Sequence, residues 1–292
     1  MEKKFMDIGK EKLAYLDLGK GKETLVLVHG NMSSGIHYKP IIERLQSQYR
    51  IIAPDLRGFG DSSYNNEYND LEELTDDLLI LLDKLGVHDY YISGWSTGGA
   101  VALKVAAKRP LEAKKVILIE SCSYKGYPIF RKDAQGQPLI GQHYSSKAEV
   151  AADPIQVASM DGIFKSGATA YMKAVWDQLI YTVNKPTKEE DDLYLAETMK
   201  ERCIVDVDYA LTRFNMSNDF NGVTDGDGSI KDVVCPVISF WSESDIVILE
   251  YMVDETVAAL QNATKVKLEK SGHSPLVDCP DKLVEEILEF IK

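Results

Sequence analysis

The sequence predicts an α/β protein: a mostly parallel sheet with helices on both faces, interrupted once by an inserted helical cap. Three observations carry this. Short apolar runs that end in turns alternate with stretches whose apolar residues recur at helical spacing, the pattern of β–α–β units. The alternation stops between residues 122 and 220 and then resumes. A serine flanked by glycines, Gly94-Trp95-Ser96-Thr97-Gly98, stands where a strand passes into a helix.

Taken in order, "ETLVLVHG" is a short apolar run closed by a turn, as expected of a strand buried on both faces. "GKGKE" before it reads as a hairpin-like turn and lacks the spacing of a phosphate-binding loop. "YRIIAPDLRGFGDS" is a second strand followed by a Gly- and Asp-rich loop. "DLEELTDDLLILLDKLG" is a helix, with Asp70 and Glu73 placed for a capping box and Gly86 just past its end. The strand "DYYISGW" leads into the helix "STGGAVALKVAAKRP", stopped at Pro110, and "AKKVILIES" is the next strand. After the insertion come the strands in "CPVISFWSESD" and "TKVKLEKSGH", then the amphipathic helix "DKLVEEILEFIK". The expected organisation is a core of residues 1–121 and 221–292 around a cap of residues 122–220 that lacks convincing strands.

Composition narrows the function classes. A formal charge of −13 with no basic stripe disfavours nucleic acid and anionic membrane surfaces as partners. The four cysteines have no metal-like spacing, the N-terminus shows no signal-peptide pattern, and the apolar runs are too short to span a membrane. A cytoplasmic enzyme with a small-molecule substrate is the expectation. "DGDGSI" superficially matches a calcium loop, but that alignment puts Val223 and Val234 at ligand positions, so no metal is expected there.

Ser96 lies between a strand and a helix, the context of a nucleophile elbow. Glycines on either side allow a strained turn that lifts Oγ beyond the sheet edge where open α/β sheets bind ligands. A serine needs a base, and the base needs an orienting carboxylate. Of five histidines, His273 alone lies late in the chain, after a predicted strand and a glycine; His29 is placed to shape the first loop. The acid should follow "PVISFW"; Asp245 sits farther into that loop than Glu243, and Glu120, after "VILI", is the rival. Oxyanion donors should be the backbone N–H of Thr97 and one from "HGNMSSG", with Asn31 preferred and Met32 behind it.

The segments "VHGN", "DLRGFGDS", "GWSTGG", "SESD" and "SGHSP" together resemble the α/β-hydrolases with a helical cap, in that family's order and over positions 28 to 275. The resemblance implies a Ser-His-Asp hydrolase needing no cofactor. "VHGN" with "SSG" is also similar to the opening loop of some acyl-homoserine lactone hydrolases, while His-Gly-Asn occurs in haloalkane dehalogenases, whose aspartate nucleophile Ser96 replaces. The expected reaction is hydrolysis of a small, mainly apolar ester or lactone. The alternatives are carbon–carbon bond hydrolysis on the same triad, or a ligand receptor that does not turn over. Cap aromatics suit an apolar pocket, with Trp176, Tyr124 and Met32 as candidate lining residues.

Overall fold

The computed structural model describes residues 1–292. Ten strands form: β1 (Lys4–Asp7), β2 (Lys12–Leu18), β3 (Thr24–Val28), β4 (Arg50–Pro54), β5 (Tyr90–Trp95), β6 (Ala113–Ile119), β7 (Phe130–Lys132), β8 (Pro138–His143), β9 (Val237–Ser242) and β10 (Ala263–Leu268). Eight make one sheet in the order β1-β2-β4-β3-β5-β6-β9-β10. All neighbours from β4 to β10 run parallel, and only β1 and β2 are antiparallel. The mostly parallel sheet is therefore as expected, with an antiparallel edge the apolar runs did not reveal.

The sheet divides the core, because successive side chains of a strand face opposite sides. In β3, Val26 and Val28 join a cluster with the helices Leu71–Lys84 and Thr97–Lys108. Leu25 and Leu27 join a second cluster with the helices Lys39–Leu45 and Pro280–Ile291. Burial on both faces is why β3, β4 and β5 read as continuous apolar runs.

Three local expectations change. The "GKGKE" turn links β2 to β3, which are not hydrogen-bonded neighbours, so it is a connection between separated strands and not a hairpin. Asp70 does cap its helix by accepting from the Glu73 amide at 3.2 Å, but Glu73 Oε1 accepts from the Asn69 amide instead of completing the box. The segment between β6 and β9 is mainly helical yet includes the antiparallel β7–β8 hairpin. Its strands are short, half-buried or exposed, and mix apolar with polar residues, so they give no continuous apolar run.

An ion cluster fastens this segment to the sheet. Lys3 Nζ donates to Asp55 (2.6 Å), Asp61 (2.9 Å) and Glu197 (2.5 Å), the last from the helix Lys188–Thr198. The lysine is nearly buried, and three carboxylates offset the cost of removing its charge from water.

Candidate active site

Parallel strands end on one edge of a sheet, so β3, β5, β6, β9 and β10 deliver their following residues to the same side. These are the loop from His29, then Ser96, Glu120, the loop holding Asp245, and the loop holding His273. Residues remote in sequence meet there because the topology leaves them nowhere else to emerge.

Ser96 has φ 54° and ψ −122°, a conformation non-glycine residues avoid, and it immediately precedes the helix Thr97–Lys108. The tight approach explains the flanking glycines: a Cβ on Gly98 would strike the Val28 carbonyl, and one on Gly94 would strike Gly98. Gly30 is equally close, since a Cβ there would sit 2.9 Å from Ser96 Cβ. The amides of Asn31 and Thr97 donate to no backbone or side-chain acceptor, whereas the Met32 amide is taken up by Asn31 Oδ1 at 2.9 Å.

His273 Nδ1 lies 2.8 Å from Asp245 Oδ2, and both side chains are buried. Asp245 Oδ1 accepts from the amides of Val247 (2.7 Å) and Ile248 (3.0 Å). Burial works against the Asp245 charge, but His273, Glu120 and these amides outweigh it and hold the carboxyl below its usual range. The His273 carbonyl accepts from Trp95 Nε1 at 2.8 Å, which ties the histidine loop to the residue preceding Ser96. No hydrogen bond joins the Ser96 hydroxyl to the imidazole; such contacts often tighten only on substrate binding.

Glu120, the rival acid, does not contact the imidazole. Its side chain is fully buried and accepts from the Ser242 hydroxyl at 2.6 Å and the Ser242 amide at 3.3 Å. Burial, and after it the Asp245 charge, push the Glu120 pKa well above its ordinary value. Glu243 pairs with Lys267 at the surface. His29 is buried, and that burial pushes its pKa down to about 4. Its neutral ring donates from Nδ1 to the Gly30 carbonyl (2.7 Å) and accepts the Leu56 amide at Nε2 (2.9 Å). These roles follow from the partners, since an amide can only donate.

Of the three candidate lining residues, Met32 is half-buried and follows Asn31 in the loop after β3. Met32, Phe164 and Val247 each pack against both apolar clusters, and so mark the seam between them. Tyr124, half-buried, packs against the first of these clusters, with its amide on Thr256 Oγ1 and its ring beneath the Lys125 ammonium. Trp176 is 4% exposed and enclosed by His37, Trp95 and Tyr181, so its ring serves packing instead of lining an open wall. Trp176→Ala is accordingly expected to lower unfolding free energy by about 3–5 kcal/mol. Urea denaturation measures this, and a loss below about 1 kcal/mol would show that the ring is not a packing anchor.

Sequence reasoning missed the Trp95–His273 tie, the state of Glu120, and an Asn31–Asp208 contact at 3.0 Å. The indole was in plain view inside the elbow motif. The other two join positions 122 and 177 residues apart and leave no local pattern.

Sheet, elbow and buried imidazole–carboxylate pair define the class. Residues 23–280 match the family described as alpha/beta hydrolase fold. The chain belongs to this family of hydrolases. It is 25% identical to the uncharacterized hydrolase YugF of Bacillus subtilis, over 93% of this chain and 91% of that protein. It is 22% identical to the pimeloyl-(acyl-carrier protein) methyl ester esterase of Aliivibrio salmonicida, over 94% of each. The esterase EaEST from Exiguobacterium antarcticum superposes with a TM-score of 0.73 over 96% of each chain at 17% identity, a likeness of fold. No helix is long and apolar enough to cross a membrane.

Proposed function

We propose that this protein is a serine hydrolase that cleaves a small, mainly apolar carboxylic ester or lactone through an acyl-enzyme. The observation that carries this reading is the pair of unpaired amides, Asn31 and Thr97, flanking a serine on a strained turn. Such amides, fixed before substrate arrives, stabilise charge that develops on a carbonyl oxygen. Ser96 Oγ attacks the carbonyl while His273 Nε2 takes its proton, and Asp245 keeps Nδ1 protonated and stabilises the imidazolium. His273 then protonates the leaving alcohol. Water, activated by the same imidazole, releases the acid.

The half-buried Met32, Phe164 and Val247 at the seam support an apolar acyl group. The segment of residues 122–220 would act as a cap that selects substrate over a core of residues 1–121 and 221–292. Relatives named as esterases support ester chemistry. The cysteines are all free thiols, which suits the cytoplasm. The test is a panel of p-nitrophenyl esters of rising acyl length run beside lactones and a dicarbonyl compound, with fluorophosphonate labelling of Ser96. Labelling with a maximum among short or medium esters or lactones is expected; turnover of the dicarbonyl alone would replace the reading with carbon–carbon hydrolysis.

A further inference from the structure

Resting on the reading of Asn31 as an oxyanion donor, we propose that Asp208 is a positioning residue that holds the Asn31 amide toward the reacting carbonyl. Asp208 lies on the helix Ile204–Arg213, within the segment between β6 and β9 and outside the sheet that carries Ser96. The Asn31 side chain is used at both ends. Its Nδ2 donates to Asp208 Oδ1 at 3.0 Å, and its Oδ1 accepts from the Met32 amide at 2.9 Å. The reverse amide orientation would set oxygen against a carboxylate and NH₂ against N–H, so the assignment is fixed by its partners.

The peptide plane joining Gly30 to Asn31 is then gripped from two sides. Its carbonyl, on Gly30, accepts from His29 Nδ1 (2.7 Å) and Ser33 Oγ (2.8 Å). In a trans peptide the N–H points opposite to the carbonyl, so holding the oxygen on His29 and Ser33 turns the Asn31 N–H the other way. Asp208 fixes the far side of the residue through its side chain. The clamp also occupies the Met32 amide, while the Asn31 amide has no acceptor of its own.

The helix bearing Asp208 is itself anchored. Asp206, two residues earlier, accepts from Tyr64 Oη (2.7 Å) and the Tyr68 amide (2.8 Å). The surroundings of Asp208 otherwise oppose its charge: it is buried, and Asp153, Glu201 and Tyr127 are the titratable groups facing it. Burial and Asp153 push its pKa up to about 7, and the Asn31 bond is what favours the ionised form. A carboxyl group kept in so unfavourable a place for one hydrogen bond is explained if that bond sets the geometry of a donor.

Losing one oxyanion donor outright costs roughly 10²–10³ in kcat, so loosening one should cost about 10–100-fold. The test compares Asp208→Ala, Asn31→Ala, their combination and Asp208→Asn, with p-nitrophenyl butyrate as substrate and a trifluoromethyl ketone as a tetrahedral mimic. Asp208→Ala should lower kcat about 10–100-fold with KM changed less than about threefold, and weaken the ketone by a similar factor. Asparagine still accepts from Asn31 and should recover most of the lost kcat. The double variant should be no worse than either single one. Asp208→Ala with parental kcat, a rise in KM alone, or multiplying losses in the double variant would overturn the proposal. If Asp208→Ala fails to unfold cooperatively, Asn31→Ala carries the test, because it removes the clamp and keeps the backbone N–H; parental kcat there overturns the proposal as well. A parent chain that neither turns over ester nor takes label overturns the hydrolase reading itself, a result visible before any variant is made.

Discussion

Alanine at position 96 is expected to lower ester turnover by about four to six orders of magnitude while leaving the fold intact. The hydroxyl is the group the proposed mechanism cannot replace: without it, the paired imidazole and the free amides can act only on bound water. The loss stops short of complete because donors of the Asn31 and Thr97 kind still stabilise developing charge. Ser96→Ala keeps the same backbone strain and changes one oxygen atom, so thermal unfolding should match the parent. The check is kcat/KM on the best ester beside a melting curve, with loss of fluorophosphonate labelling as the covalent readout. Activity within tenfold of the parent would mean that another group attacks the substrate.

The second large effect belongs to Asp245. Its Oδ1 already accepts from two backbone amides, Val247 and Ile248, and its Oδ2 accepts from His273 Nδ1. In Asp245→Asn the amide oxygen must stay on the two backbone donors, which turns NH₂ toward the ring. His273 must then accept at Nδ1 and carry its proton on Nε2, the nitrogen that should receive the serine proton. Preserved geometry with the wrong tautomer costs about 10⁴-fold in kcat. Glu120→Gln behaves differently, because Glu120 makes no hydrogen bond to His273 and a glutamine oxygen can still accept from Ser242. It should cost less than about tenfold, on the scale of one exchanged hydrogen bond. Measuring both variants on one substrate decides the matter: a larger loss from Glu120→Gln would make Glu120 the functional acid.

The parallel strands were legible because burial on both faces demands unbroken apolar runs, as in the fully buried β3 and β9. The antiparallel edge was not. β1 is largely exposed, so it lacks the run that would distinguish it from a charged tail. Within the candidate site, what could be nominated from sequence was what sits in a local pattern: Ser96 among its glycines, His273 after Gly272, Asp245 at the end of "SESD". The Asn31–Asp208 and Glu120–Ser242 contacts depend on where distant strands and helices stop. Residue type alone could not place Trp176: a large ring in an amphipathic helix packs a core as readily as it walls a cavity, and its neighbours here show a buried ring among His37, Trp95 and Tyr181.

The Lys3 cluster gives the insertion a fixed edge and a loose one. Glu197 is moored through that lysine to Asp55 and Asp61, so opening the molecule there would break a largely buried set of ion pairs. Across the same segment, the helix Ala158–Ser166 has no buried residue, and its Met160, Ile163 and Phe164 rest on the clusters only partly buried. Few buried contacts mean a small free energy of local opening. Amide protons of residues 158–166 should therefore exchange with deuterium well before those of residues 188–198, with the parent fold otherwise undisturbed. Breathing of this kind would have a direction: under the cap role proposed above, the molecule would loosen first beneath this helix and last at the ionic knot.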